Sequence, residues 1–234
     1  MSHYYSGQRA RHYNTRWRTF TKRTLSETWA MIDMEALCQV QASQGRAPRV
    51  LDVACGTGVL LRQLAERFPE AELTGIDAST DMLTQARHAL KSFPHVHVAQ
   101  AEVGPGETAG LAYPPNTFDL ITCTNVAHDL AQPADVLLGL GRLLTAEGQL
   151  IIEDYARREP PFPWWMVEWL ARRIEGGHVR AYTFSEAEAL CQQANLHVEC
   201  AKPFIVNWLW HGWVLRVCVG STFRSAHEHD ESDQ

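Results

Sequence analysis

The chain has 234 residues, 45% of them apolar, which is enough for one sizeable core, so a single domain is expected. Charged residues make up 21% and the formal net charge is -6, which gives no electrostatic reason to approach a polyphosphate backbone; nucleic acid is excluded as a favoured partner. The six cysteines (38, 55, 123, 191, 200, 218) form no C-x-x-C pair and no close Cys/His cluster, which argues against a disulfide framework or a metal site and for reduced thiols in the cytoplasm.

The opening MSHYYSGQRARHYNTRWRTFTKR is polar, basic and aromatic, without the apolar stretch of a signal peptide or membrane span. Leu25, Trp29, Ile32, Ala36, Leu37 and Val40 then recur at helical spacing and predict one amphipathic helix over 24–42. RVLDVA reads as a buried strand, and Leu60, Leu61, Leu64, Ala65 and Phe68 as a helix stopped by Pro69. AELTGIDAS is a strand ending in an acid, followed by a helix from Ser79 to Leu90 with Ser79 at its N-cap. HVHVA and FDLITCTNV are further strands, PADVLLGLGRLL is a helix with Pro133 in its first turn, and GQLIIEDY is a fifth strand. Strands alternating with helices imply parallel pairing through right-handed crossovers, a doubly wound α/β fold. Ligands of such sheets bind beyond the carboxyl ends of the strands, which here means Asp52 to Gly58, Asp77, Gln100 to Glu102, Thr124 to Asp129 and Glu153 to Tyr155.

After residue 156 the pattern changes. EPPFPWWMVEWLARRIEGG is a proline-broken lead into a helix over 163–175, with Trp165, Met166, Trp169, Leu170 and Ile174 on one face and Glu168, Arg172 and Glu175 on the other. The preferred reading of that apolar face is a lid packed on the core; the other is a transient membrane-surface contact through 162–175. FSEAEALCQQANL is a helix opened by Ser185, and LHVECAKPFIVNWLWHGWVLRVCVG holds two β-like runs suited to an antiparallel pair at a sheet edge. The organisation expected is an arm and helix (1–44), a ligand-binding core (45–156), a lid insertion (157–184), a closing helix and edge strands (185–221) and a frayed polar tail (222–234) in which His227 and His229 are not a metal site.

The loop after the first strand contains Gly56 and Gly58, which let a ligand approach backbone amides without side chains in the way. A dinucleotide fingerprint needs a third glycine, but Leu61 stands there, which weakens the pyrophosphate reading. Asp77 ends the second strand, 19 residues beyond Gly58, where a carboxylate accepts from both ribose hydroxyls; its competing reading is a cap for the helix that begins near Ser79. A cofactor with a ribose and no pyrophosphate fits best.

VLDVACGTGVLLRQLA, LTGIDASTDMLTQAR and FDLITCTNVAHDL resemble class I S-adenosylmethionine-dependent methyltransferases, within them the small-molecule group that includes the ubiquinone and menaquinone biosynthesis enzymes. The resemblance covers residues 45–155 and extends more loosely to RAYTFSEAEALCQQANLHV. It implies a Rossmann-like, mostly parallel seven-stranded sheet with an antiparallel edge strand and helical lid elements. It also implies S-adenosylmethionine as cofactor, S-adenosylhomocysteine as product and a cofactor site in the first-strand motif that opens at Asp52. Ala54, Gly56 and Gly58 would line the methionine moiety, Asp77 the ribose, Ala78 and Met82 the adenine, and Asn125 the sulfonium end. Two positions depart from the family: Ala54 stands where glycine is frequent, and Gln100, Ala101 and Glu102 stand where an acid usually binds the adenine amino group.

Methyl transfer from a sulfonium is an in-line displacement, in which alignment alone contributes up to about 7 to 11 kcal/mol. A phenol, enol or protonated amine acceptor would need a base. His128 in NVAHDL is the first candidate, standing equally as a loop hydrogen-bonder, and Asp129 would orient its ring or sit at a helix start. Tyr155 is the second candidate, with Glu153 and Asp154 beside it. Tyr13, Trp17, Trp165, Trp169, His178, Tyr182 and His211 are candidates to line a small-molecule acceptor site, and Tyr4 and Tyr5 could close over it. Such aromatic walls suit a flat or apolar acceptor. The rival readings are a binding or sensor protein that keeps the cofactor and transfers nothing, and an NAD(P)-dependent oxidoreductase.

Overall fold

The computed structural model describes residues 12, 15, 17–157, 163–175, 180–208 and 210–220. Tyr4, Tyr5, Tyr13, His178 and the tail 222–234 lie outside the described residues. The elements are α1 (Arg18–Met31), α2 (Met34–Gln44), β1 (Arg49–Val53), α3 (Val59–Arg67), β2 (Glu72–Asp77), α4 (Thr80–Ala89), β3 (Val96–Gln100) and β4 (Phe118–Thr124). They continue with α5 (Pro133–Leu143), β5 (Leu144–Ala156), α6 (Trp164–Glu175), α7 (Phe184–Gln193), β6 (Leu196–Ile205) and β7 (His211–Val219).

One seven-stranded sheet has the order β3-β2-β1-β4-β5-β7-β6. β1 to β5 pair in parallel, and β7 runs antiparallel to both β5 and β6. The order reverses between β1 and β4, and a crevice at that switch point is where an open α/β sheet binds its ligand. Two apolar clusters cover the two faces: α5 and α7 pack with Leu140, Leu143 and Trp213, and α1 to α4 pack with Leu37, Leu61, Leu64 and Leu83. Among the described residues no helix is long and apolar enough to cross a membrane.

Three sequence expectations are corrected. The helix predicted over 24–42 is two helices, α1 and α2, broken at Ile32 and Asp33. Asp33 caps α2 by accepting from the Ala36 amide at 3.0 Å, and the Gln149 side chain both accepts from the Asp33 amide (2.8 Å) and donates to its carbonyl (3.0 Å). The break is thus clamped to β5, a contact that local periodicity cannot register. The cap of α7 is Thr183, not Ser185: Thr183 Oγ1 accepts from the Glu186 amide at 3.2 Å while Glu186 accepts from the Thr183 amide at 2.8 Å, a capping box.

The third correction concerns α6. Its predicted inner face points outward: Trp165 is 74% and Trp169 54% exposed, with Met166 and Leu170 exposed beside them. The helix is held instead by Trp164, 4% exposed, and by Glu168, which accepts from the Ala181 amide at 3.0 Å. Anchoring by the first residue and one carboxylate turns the wide apolar stripe away from the core.

Leu61, the residue that breaks the dinucleotide fingerprint, is accommodated from the strand side. A Cβ at Gly75 would stand 2.4 Å from Leu61 Cδ1, so the missing side chain on β2 receives the bulky one on α3. Helix and strand approach closely with the glycine and the large residue exchanged.

Candidate active site

A cavity of about 440 Å³ opens at the switch point, within the size range of small-molecule sites. Its first wall is backbone. Where β1 ends, the chain turns through three left-handed residues, Ala54 (φ 57), Gly56 (φ 55) and Gly58 (φ 76). The Ala54 conformation costs an L-residue about 1 to 2 kcal/mol, which is why glycine suits that place. The Asp77 carboxylate is held by two amides, Oδ2 accepting from Gly56 at 2.9 Å and Oδ1 from Ser79 at 2.8 Å. Asp77 is therefore tied to the glycine loop, and the cap of α4 is Ser79, whose hydroxyl accepts from the Met82 amide at 3.3 Å. Burial pushes the Asp77 carboxyl up while both amide bonds oppose it.

Asp52 lies at the same wall, buried, accepting from Thr122 Oγ1 at 2.7 Å. Burial raises it to about 7, the Thr122 bond opposes that shift and the nearby Asp77 charge adds to it. Gln100 reaches across from β3 and donates to the Ala78 carbonyl at 3.0 Å, which leaves Oε1 as an acceptor at the rim.

The opposite wall is built from side chains beyond β4 and β5. Asn125 adopts a left-handed backbone (φ 53), its amide donates to the Glu153 carbonyl at 2.8 Å and its Nδ2 to Glu153 Oε2 at 2.9 Å. Burial, reinforced by the Asp154 charge, holds the Glu153 carboxyl well above the usual range. Asn125 Oδ1 and Glu153 Oε1 are buried without a hydrogen-bond partner among the described residues. One step along, His128 Nδ1 stands 2.9 Å from each oxygen of Asp154, whose Oδ2 also accepts from the His128 amide (2.9 Å) and Oδ1 from the Tyr155 amide (2.7 Å). Asp154 is 1% exposed, so ring and backbone of His128 are gripped by one buried acid. A carboxylate that accepts from three directions makes Nδ1 the protonated nitrogen and leaves Nε2 the basic one. Asp129 Oδ1 is 3.6 Å from Nε2, beyond hydrogen-bond length.

Aromatic rings complete this wall. The Tyr155 ring lies 4.6 Å from that of His128 and meets Trp210 edge-on at 5.3 Å. Trp210 meets Trp164 at 6.0 Å and Phe20 at 6.2 Å, and Phe20 meets Trp17 at 5.8 Å, all edge-on. The cavity therefore has a polar, backbone-built side and an aromatic side with one oriented imidazole.

Residues 51–150 match a family model described as a methyltransferase domain. A ubiquinone biosynthesis O-methyltransferase of Haemophilus ducreyi is 28% identical over 175 residues, covering 72% of this chain and 73% of that protein. YcgJ of Bacillus subtilis, named an uncharacterized methyltransferase, is 25% identical over 170 residues, covering 72% of this chain and 64% of its own length. Its crystal structure superposes with a TM-score of 0.59 over 80% of this chain and 99% of that one, at 19% identity. The methyltransferase-domain match, these relatives and the shared fold together support a class I S-adenosylmethionine-dependent methyltransferase. It spans a minor part of some relatives: a Synechococcus protein 34% identical over 131 residues is covered over only 30% of its length.

Against this family, most residues singled out in the sequence converge. Asp52, Ala54, Gly56, Asp77, Ala78, Met82, Gln100, Asn125, His128, Tyr155 and Trp17 all line the cavity. Gly58 stands behind the lining, where a Cβ would meet Leu90 Cδ1 at 3.0 Å. Ala101 and Glu102 do not line it; the Ala101 amide is spent on the Asp77 carbonyl at 3.2 Å and Glu102 is exposed. Trp165 and Trp169 do not line it because α6 turns them to the surface. Tyr182 is structural: its carbonyl accepts from Trp213 Nε1 at 3.2 Å and Arg180 covers its ring at 5.3 Å. His211 pairs with Ala156 and Ile205 inside the sheet and is absent from the lining.

Three participants escape the sequence. Asp154 reads there as a strand-end acid that could reach the acceptor, yet it holds the His128 ring, one of the two roles open to Asp129. Phe20 falls outside a helix started at residue 24, whereas the helix begins at Arg18; its spacing of three from Trp17 is the available signal. Trp210 belongs to a tryptophan cluster, but nothing local distinguishes it from the exposed Trp208.

Proposed function

We propose that this protein transfers a methyl group from S-adenosylmethionine to a protonated heteroatom, foremost a phenol-type hydroxyl, on a small, flat, apolar acceptor. The observation that carries this reading is the His128–Asp154 pair set into the aromatic wall of the cavity whose other wall is the glycine loop. The residues present suit the cofactor: Gly56 keeps the loop open to a ligand, Asp77 offers a fixed carboxylate for the ribose, Met82 an apolar flank and Gln100 Oε1 an acceptor for an amino group. When bound, S-adenosylmethionine supplies an electrophilic methyl on a positively charged sulfur.

His128 Nε2 accepts the acceptor's proton as the new bond to the methyl carbon forms and the carbon–sulfur bond breaks. Asp154 stabilises the resulting imidazolium without moving, because its three hydrogen bonds are already made. Tyr155, Trp210, Phe20 and Trp17 exclude water and hold the acceptor ring flat, which supplies orientation.

The test is release of S-adenosylhomocysteine with a panel of phenols, catechols and quinols, read by mass spectrometry. Turnover with at least one and none with sugars or free amino acids is expected; tight cofactor binding without turnover across the panel would return the protein to the class of cofactor-binding sensors. On the cofactor side, Asp77→Ala should weaken S-adenosylhomocysteine binding by at least about tenfold in calorimetry, roughly 1.4 kcal/mol, with folding intact.

A further inference from the structure

A second hollow lies outside the active-site cavity, between α1 and α3. It is an open groove of about 810 Å³. Its sides are two helical stripes: Arg18, Lys22, Leu25 and Trp29 of α1, and Val59, Gln63 and Arg67 of α3. These positions recur at the three- and four-residue spacing of a single helix face, so the two helices present facing stripes that leave a gap. Leu25, Val59 and Trp29 make its floor carbon, and Leu25 and Val59 also belong to the wall of the main cavity.

The charge on its rim sets this groove apart. The chain as a whole carries -6, yet Arg18 and Lys22 stand exposed four residues apart on α1, and neither is ion-paired among the described residues. Nearby cations and anions are otherwise engaged: Arg67 lies over the Phe68 ring at 5.0 Å, and Glu66 is held by Arg62 at 2.9 Å. Two such cations side by side at the head of an apolar trough match a ligand with an anionic head and an alkyl tail. From Lys22 to Trp29 the helix rises about 10 Å, the reach of a medium-length chain.

We infer that the groove between α1 and α3 binds an alkyl carboxylate, its head on Arg18 and Lys22 and its chain along Leu25, Trp29 and Val59. The head of the site is separate from the main cavity, since neither cation belongs to its lining, while Leu25 and Val59 are shared by the two. Its occupant braces the outer side of the helix that carries Phe20 onto the active site.

Titration calorimetry of decanoate, below its micelle concentration, into the full chain saturated with S-adenosylhomocysteine tests the inference. Decanoate should bind one site, and decan-1-ol, which keeps the chain and loses the charge, should bind at least about tenfold more weakly. The double variant Arg18→Glu with Lys22→Glu should lose at least about tenfold, as should Ser26→Trp, which fills the groove from a position outside the main cavity. S-adenosylhomocysteine affinity and melting temperature serve as the folding control for each variant. Absence of decanoate binding, equal binding of the alcohol, or unchanged affinity in both variants would each overturn the proposal, the last by placing the chain in the main cavity.

Discussion

The two ends of the sheet treat buried acids in opposite ways. At the amino end of β4, Asp119 is gripped by Arg46 through two bonds of 2.7 and 2.8 Å, by the Arg49 amide at 2.9 Å and by Thr145 at 3.1 Å. Burial alone would raise its carboxyl, but these partners bring it below the usual range. At the carboxyl end, Asp52 and Glu153 are buried and Asp77 half-buried, with no cation among the causes of their shifts, and all three are raised. One end spends its acid on closing the fold; the other keeps three acids short of counter-charge beside an open cavity. Perturbed acids gathered at a cleft are the electrostatic mark of a functional site, while a satisfied ion pair marks a structural one.

Substitutions at the two ends should therefore separate rate from stability. At the carboxyl end, His128→Ala should lower the methyl-transfer rate by about 10² to 10⁴-fold, with cofactor affinity near that of the parent. Asp154→Asn should share much of that loss and shift the pH dependence of the rate, since the amide presents a different partner to Nδ1. Equal losses of rate and cofactor affinity would make the pair structural and erase the contrast. At the amino end, Arg46→Met should cost about 2 to 4 kcal/mol in chemical denaturation, because it leaves the Asp119 carboxylate buried and unpaired, while the rate per folded molecule is unchanged.

A pH series sharpens the same contrast at Asp52. Its carboxyl ionises near 3.8 in the unfolded chain and at about 7 in the folded one. Between those values the folded chain holds a proton that the unfolded chain has lost, so this contribution to stability is whole below about pH 4 and drains away as pH rises to 7. Asp52→Asn removes the slope while keeping an oxygen for the Thr122 hydroxyl. Relative to the parent, the variant should gain about 2.7 kcal/mol of stability between pH 5 and pH 8, measured without cofactor. A parallel pH profile for the two proteins would mean that Asp52 is already ionised at pH 5.

The same division governs what is legible in the chain. The glycine loop, Asp77 and the parallel strand order can be read because each rests on local signals: strand, turn and helix follow one another within a few residues, and the loop's partners sit at strand ends. The aromatic wall is built otherwise. Trp210 reaches Tyr155 from a β6–β7 hairpin, Phe20 arrives from α1, and the break before α2 is set by Gln149, more than a hundred residues downstream. Those meetings are tertiary, and no window of sequence contains them. Leu61 is an intermediate case, since its partner Gly75 is visible in LTGID but acquires meaning only when α3 lies against β2.

The smallest expected effect belongs to α6, where the sequence pattern points the wrong way. Unequal helix faces establish only that one side is more apolar than the other; which side turns inward depends on the anchors. Here Trp164, packed on Trp210, and Glu168, bonded to the Ala181 amide, fix the helix so that Trp165 and Trp169 face outward. Replacing both exposed tryptophans with serine should move stability by no more than about 0.5 kcal/mol and leave turnover of a dissolved acceptor unchanged. Trp164→Ala in the same helix should cost about 3 kcal/mol or more and disturb the aromatic wall through Trp210. If the serine pair instead lowered stability as much as Trp164→Ala, the apolar face would be a packed lid after all, and the outward orientation of α6 would have to be abandoned.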